Sequence, residues 1–181
     1  MQFRTATPSD APTLARLHTL SWQNSYRGIL TDQYLDHDIH ADMQQKWSKR
    51  FANPNPKQWA LIASDAAEEV GFVCTLLAAD LKWGALLDNL HVLKSQQGKG
   101  LGAYLLYASA KWVEASSPDS GMYLWVYVDN PAVQFYENMG GVRKERITVD
   151  NPGGGQADIY RYVWDDLKAW LKDNVYLENR F

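Results

Sequence analysis

A glycine-rich turn at residues 97–102 constrains this chain more than any other segment. Its sequence is Gln-Gly-Lys-Gly-Leu-Gly, and it lies between a predicted strand (residues 84–93) and a predicted apolar helix (residues 101–115). Glycines permit positive φ angles and let a bulky ligand approach the main chain closely. The helix directs unpaired N–H groups and its positive dipole end into the turn. This arrangement predicts a phosphate or pyrophosphate site, to which Lys99 can add charge.

The turn differs from two common nucleotide-binding loops. The GxxxxGK spacing is absent and no Ser or Thr follows Gly98-Lys99, so a Walker A loop is excluded. The G-x-G-x-G spacing and the single predicted crossover unit argue against a dinucleotide-binding fingerprint. On these residues alone, a tight turn with a purely structural role remains the alternative.

Helices and strands alternate along the remainder of the chain. Strands are predicted at residues 2–7, 58–64, 69–79, 84–93, 122–128, 142–149 and 156–164, and helices at residues 11–23, 32–51, 101–115, 131–138 and 165–173. An acidic turn between the second and third strands predicts an antiparallel hairpin. The apolar run at 122–128 indicates a buried central strand. Without an internal repeat or a long linker, residues 1–181 are predicted to form a single domain of mixed α/β class.

Composition and charge exclude several functional classes. The net charge of −3, from 18 basic and 21 acidic residues, argues against a nucleic-acid partner. No apolar run reaches the 18 or so residues of a membrane span, and residues 1–10 do not resemble a signal peptide. The single cysteine, Cys74, lies in an apolar run, which favours a core residue over a nucleophile. We therefore expect a cytoplasmic protein without a membrane partner.

A second segment, Asn-Pro-Ala-Val-Gln-Phe-Tyr-Glu-Asn-Met-Gly at residues 130–140, follows the buried strand. Together the two segments resemble the GNAT superfamily of acyl-CoA-dependent N-acyltransferases. Residues 97–102 match that family's (Gln/Arg)-x-x-Gly-x-(Gly/Ala) signature in full. Residues 130–140 are similar to its Asn-x-x-Ala-x-x-(Phe/Leu)-Tyr-x-x-x-Gly motif, although Ala132 stands one place early. The resemblance implies one mostly antiparallel sheet flanked by helices, with strands 84–93 and 122–128 splayed apart; residues after Trp164 are less well covered.

The resemblance also implies acetyl-CoA as the co-substrate and indicates which residues hold it. Main-chain groups of the strand before the turn would pair with the pantetheine arm, and the turn would hold the pyrophosphate. Asn130 would contact the arm near the thiol, and Tyr136 would stand near the sulfur. The implied cofactor-binding residues are Leu90, His91, Val92, Gln97, Gly98, Lys99, Gly100, Leu101, Gly102, Ala103, Asn130 and Tyr136.

Three side chains are candidates for catalysis. An amine attacks a thioester only when it is neutral, and the expelled thiolate needs a proton or a hydrogen bond, which a Tyr136 hydroxyl can supply. Asp88, His91 or a water molecule is the candidate base. Asp88 and His91 are three residues apart on one predicted strand, so they face opposite sides of a regular strand. Only a bulge between them would direct both to the substrate.

The acceptor is less constrained than the cofactor. Trp22 and Tyr26 are four residues apart in a Trp-x-x-x-Tyr-Arg-Gly segment, so they share a helix face and form a candidate amine pocket, with core packing as the alternative. We expect a small-molecule primary amine; a protein or peptide amine, or a non-catalytic acyl-CoA-binding module, are the alternatives. His37, Asp38 and His40 lack a further ligand and predict a polar face, so no metal site is expected. The family resemblance is compatible with a homodimer.

Overall fold

The apolar alternation of the chain produces seven strands in one sheet, flanked by five α-helices. The computed structural model describes all 181 residues. The strands are β1 (Gln2–Thr5), β2 (Gln58–Asp65), β3 (Glu68–Asp80), β4 (Gly84–Val92), β5 (Met122–Tyr127), β6 (Val142–Asp150) and β7 (Gln156–Trp164). The helices are α1 (Ala11–Ser25), α2 (Ile39–Ala52), α3 (Leu101–Ser116), α4 (Ala132–Asn138) and α5 (Leu167–Asp173).

The sheet is mixed but almost entirely antiparallel. Its strand order is β1-β2-β3-β4-β5-β7-β6, and β4 and β5 form the only parallel pair. The predicted hairpin β2–β3 is present, and β6 and β7 form a second antiparallel hairpin. The crossover through α3 carries the chain from β4 to β5, as parallel strands require. The predicted mixed, mostly antiparallel sheet is confirmed.

Alternation along each strand builds a separate core on each face of the sheet. In β2, Ala60 and Ile62 belong to the core beneath α1 and α2, whereas Leu61 and Ala63 belong to the core beneath α3 and α5. The first core also contains Cys74, whose thiol has a pKa raised by burial to about 12. The interpretation of Cys74 as a core residue is therefore confirmed.

The helices follow the sequence pattern with one interruption. The predicted helix at residues 32–51 is divided, because Tyr34–Asp38 forms a π-helical turn before α2 begins. The π-helical turn places the side chains of Tyr34 and Leu35 in the core. No helix combines the length and the apolar character that crossing a bilayer would require.

A gap opens between β4 and β5 in the middle of the sheet. The two strands pair only at their beginnings, where Ala85 faces Met122 and Leu86 faces Tyr123. Beyond these two pairs the strands diverge, and their facing main-chain groups have no partner strand. The splayed pair implied by the family resemblance is therefore present.

A β-bulge in β4 changes which side chains share a face. Cys74 of β3 pairs with Asn89, but the next residue, Thr75, pairs with Leu87, so Asp88 is an extra residue without a partner in β3. Asp88 and His91 consequently both face α1 and α2. The strand is therefore not regular, and the bulge places both side chains on one face, as only a bulge could.

Candidate active site

A cleft of about 1050 Å³ occupies the gap between β4 and β5. Its wall comes from α1, β4, the glycine turn, β5 and α4. The structure brings together in this wall thirteen of the predicted site residues: Trp22, Tyr26, Asp88, Leu90, His91, Val92, Gln97, Gly98, Gly100, Gly102, Ala103, Asn130 and Tyr136. Two others are not part of the wall. The Leu101 side chain lies in the core, and the Lys99 ammonium donates a hydrogen bond to Gln96 Oε1 at 3.0 Å.

The glycine turn has the main-chain geometry that the sequence predicts. Gly98 and Gly100 have φ angles of +75° and +88°, which glycine adopts without steric cost. The side chain of Gln97 donates to the Val92 carbonyl at 3.0 Å, which ties the turn to the end of β4. The first N–H with a helical acceptor is that of Tyr104, which bonds to the Gly100 carbonyl. The preceding N–H groups of α3 are therefore available to an anion.

Tyr136 stands on α4 at the middle of the cleft. Its ring is buried against Phe135, at 5.1 Å between ring centroids, and Trp164, at 6.3 Å. The hydroxyl has no hydrogen-bond partner within the chain, and burial raises the pKa of Tyr136 above its ordinary value. Tyr136 is therefore a neutral hydrogen-bond donor at physiological pH.

Asn130 precedes α4 and lies in the same part of the cleft wall. Its Oδ1 accepts a hydrogen bond from the Ala132 N–H at 2.8 Å, so the side chain holds the start of α4 in place. The Asn130 amide also lies within hydrogen-bonding reach of the Tyr26 hydroxyl. This residue therefore has a structural role and can also contact a ligand.

His91 lies between α1 and the cleft. Its Nδ1 is hydrogen-bonded to Ser21 Oγ at 3.0 Å, and its ring lies 4.5 Å from that of His18. Burial lowers the pKa of His91 to about 3, and the positive charge of Lys46 acts in the same direction. The imidazole is therefore neutral at physiological pH.

His18 and Ser21 were not identified from the sequence, although both line the cleft. Trp47 donates its indole N–H to His18 Nδ1 at 3.3 Å. His18, Ser21 and Trp22 recur at the helical spacing of one face of α1, which Tyr26 continues just beyond the helix. At this spacing, polar residues interrupt the apolar stripe of the helix. This pattern in the sequence could have indicated that His18 and Ser21 face the site.

Asp88 is held by an ion pair. Arg50 Nη1 donates to Asp88 Oδ2 at 2.7 Å, and both side chains are about one-fifth exposed. The pair connects α2 to the bulge of β4. Lys46, one helical turn before Arg50, also lines this end of the cleft, and burial lowers the pKa of its ammonium group. Lys46 likewise was not identified from the sequence.

Aromatic rings form the wall opposite Asp88 and Lys46, at the same end of the cleft. The ring of Tyr26 lies 4.8 Å from that of Trp22 and 5.4 Å from that of Tyr127. Burial raises the pKa of Tyr26 above its ordinary value. Tyr26 and Tyr136 line the same cleft, so the predicted acceptor pocket and the predicted thiol site are continuous.

The chain is similar to known acetyltransferases over most of its length. The family described as the acetyltransferase (GNAT) family matches residues 15–141. The uncharacterized N-acetyltransferase YuaI of Bacillus subtilis is 26% identical over 171 residues, which cover 92% of this chain and 94% of YuaI.

Two solved structures have the same fold. The GCN5-related N-acetyltransferase of Rhodopseudomonas palustris has a TM-score of 0.71 at 24% identity, covering 90% of this chain and 93% of that one. The PaiA N-acetyltransferase of Thermoplasma acidophilum, solved with coenzyme A, has a TM-score of 0.68 at 20% identity, covering 91% and 100%. With its split sheet and glycine turn, the chain belongs to the GNAT family of acetyltransferases.

Proposed function

We propose that this protein transfers an acetyl group from acetyl-CoA to the primary amine of a small molecule. The observation that carries the proposal is the continuity of the cleft. An anion-binding turn lies at one end, an aromatic wall with two histidines at the other, and the Tyr136 hydroxyl stands without a partner between them.

The residues that line the cleft fit coenzyme A. The N–H groups at the start of α3 suit the pyrophosphate, and the αL glycines leave room for it beside the main chain. The main-chain groups of β4 from Leu90 to Val92 that face the gap suit the amides of the pantetheine arm, apart from the Val92 carbonyl, which accepts from Gln97. PaiA, which shares the fold, was solved with coenzyme A, and this supports the assignment.

Proton transfer in the proposed reaction begins with the amine. An ammonium group first loses one proton to water at the end of the cleft lined by His91. In the tautomer whose Nδ1–H donates to Ser21 Oγ, the Nε2 lone pair of His91 can accept a hydrogen bond from the amine and orient it. A neutral imidazole also avoids repelling the cationic substrate. Asp88 is already held by Arg50, so we assign proton acceptance to this water.

The acyl transfer then exchanges one bond for another. The amine nitrogen forms a C–N bond with the acetyl carbon, the C–S bond breaks, and the nitrogen loses its second proton as the sulfur gains one. The Tyr136 hydroxyl donates a hydrogen bond to the departing thiolate. Because its pKa is raised, Tyr136 stabilises the thiolate without giving up its proton. The products are the acetamide and the thiol, with one proton released overall.

Measuring free thiol from acetyl-CoA across a panel of small primary amines and peptides tests this function. We expect at least one small amine to be acetylated. Acetylation of peptides alone would replace the small-molecule acceptor by a protein or peptide amine. Coenzyme A binding without turnover of any acceptor would favour a non-catalytic acyl-CoA-binding module.

Tyr136→Phe tests the proposed role of the hydroxyl. We expect kcat to fall about 100-fold, within the range for loss of a catalytic proton or hydrogen-bond donor, while the Kd for coenzyme A changes less than about threefold. Tyr160→Phe is the matched control, because Tyr160 lies on β7 outside the cleft wall. A Tyr136→Phe enzyme with the wild-type kcat would contradict the role.

A further inference from the structure

The final segment of the chain (residues 175–181) is fixed beside the glycine turn. Leu177 is buried, and the ring of Phe181 packs on those of Tyr104, at 5.6 Å, and Phe3, at 5.9 Å. Glu178 forms an ion pair with Lys111 of α3. These contacts, on both sides of Arg180, hold the segment against the outer surface of α3.

The segment places the Arg180 side chain directly over the turn. Arg180 Nη2 donates to the Lys99 carbonyl at 3.4 Å. A methyl group added at Gly100 would lie 2.0 Å from Arg180 Nε, so the guanidinium lies directly against the main chain of the turn. Tyr176, Leu177 and Arg180 are all part of the cleft wall. The guanidinium is therefore at the phosphate end of the cleft.

Arg180 differs from every other arginine of the chain in lacking a partner for its charge. Six of the eight arginines form ion pairs with carboxylates: Arg4, Arg16, Arg27, Arg50, Arg146 and Arg161. Arg143 lies over the ring of Tyr160, at 4.6 Å. Arg180 has only the Lys99 carbonyl.

The position of this charge is electrostatically unfavourable without an anion. The guanidinium stands next to the positive dipole end of α3 and to N–H groups that have no acceptor. Lys94 adds a further positive charge to the cleft wall. A phosphate group would satisfy the helix and the guanidinium together, and guanidinium groups bind phosphate through paired, charge-assisted hydrogen bonds.

We propose that Arg180 is a ligand-binding residue that pairs with a phosphate group of the coenzyme A substrate at the glycine turn. The inference rests on the proposed function, since it takes coenzyme A as the ligand. It adds to the turn a cation from a segment about 80 residues farther along the chain, outside the two sequence motifs. Either the pyrophosphate or the 3′-phosphate of the ribose can be the group bound.

Calorimetric binding of three probes to the Arg180→Ala protein tests the proposal. The probes are coenzyme A, 3′-dephospho-coenzyme A, and pantetheine, which has no phosphate. We expect the Kd for coenzyme A to rise about tenfold, as for loss of one charge-assisted hydrogen-bonding group, and the Kd for pantetheine to stay unchanged. Equal weakening for the first two probes assigns Arg180 to the pyrophosphate, and weakening for coenzyme A alone assigns it to the 3′-phosphate.

Arg143→Ala is the matched control, since it removes the same charge from an arginine outside the cleft. It should bind coenzyme A as the wild type does. The thermal midpoint of the unliganded Arg180→Ala protein should be no lower than that of the wild type, which separates ligand binding from folding. A wild-type Kd for coenzyme A in Arg180→Ala, or equal weakening for pantetheine, would overturn the proposal. Failure of the wild-type protein to bind coenzyme A would overturn it together with the proposed function.

Discussion

Lowering the pH from 7 to 5 should destabilise this fold through His18 and His91. Both rings are neutral in the folded protein, because burial lowers the pKa of His91 to about 3 and that of His18 well below its ordinary value. In the unfolded chain both titrate near 6.5. The unfolded state therefore binds more protons than the folded state below pH 6.5, and stability falls as the pH falls.

The size of the effect follows from the two pKa values. At pH 5 an unfolded histidine with a pKa of about 6.5 is almost fully protonated, which favours unfolding by about 2 kcal/mol for each ring that stays neutral in the folded state. His91 alone therefore lowers the stability by about 2 kcal/mol, and His18 adds to this loss in the same direction, against the 5–15 kcal/mol that holds a typical domain folded. Protonation of His91 in the unfolded chain continues to lower the free energy of unfolding until the pH approaches 3.

Urea denaturation at pH 7, 6 and 5, followed by tryptophan fluorescence, measures this free energy. The double variant His18→Asn/His91→Asn should lose most of the pH dependence, and an Asn amide oxygen can still accept the Trp47 N–H. His37→Asn/His40→Asn is the control, because both side chains are exposed, and it should keep the wild-type dependence. A wild-type loss below about 1 kcal/mol between pH 7 and 5, or an unchanged slope in the His18/His91 variant, would refute the argument.

Two further substitutions have outcomes that the structure predicts. Gly102→Glu places a carboxylate where phosphate should bind, so coenzyme A binding measured by calorimetry should be lost. The isosteric Gly102→Gln should retain part of this binding. Unchanged affinity in Gly102→Glu would contradict the phosphate site. Ala67 has a φ of +72° in the β2–β3 turn, so Ala67→Gly should raise the unfolding free energy by about 1 kcal/mol, while Ala115→Gly in α3 should lower it by a similar amount. A destabilised Ala67→Gly protein would show that the turn is not strained.

Local patterns were sufficient to predict the parts of the site that come from one segment. The glycine spacing at residues 97–102 determines φ angles and helix start within six residues, and the strand alternation in β2 decides which side chains face each core. Asn130 and Tyr136 were identified because their motif is contiguous. Each of these depends on neighbours only a few residues away.

The features that were not predicted depend on distant pairings. The bulge at Asp88 exists because β3 pairs Thr75 with Leu87, and no local property of β4 indicates that register. His18 and His91 are 73 residues apart in sequence, and Arg180 lies about 80 residues from the turn that it covers. The roles of these residues depend on tertiary packing, and a single sequence contains no local pattern that shows which distant residues pack together.

The gap between β4 and β5 also decides what kind of molecule can complete the sheet. Unpaired main-chain groups at an outer edge of a sheet would invite pairing with another protein chain. Here the two unpaired edges face each other inside the fold, with α1 on one side and α4 on the other. An extended ligand that carries its own amides can form hydrogen bonds with these edges. The interruption of pairing therefore favours a single thin, amide-bearing chain over a β-hairpin, which is two strands wide.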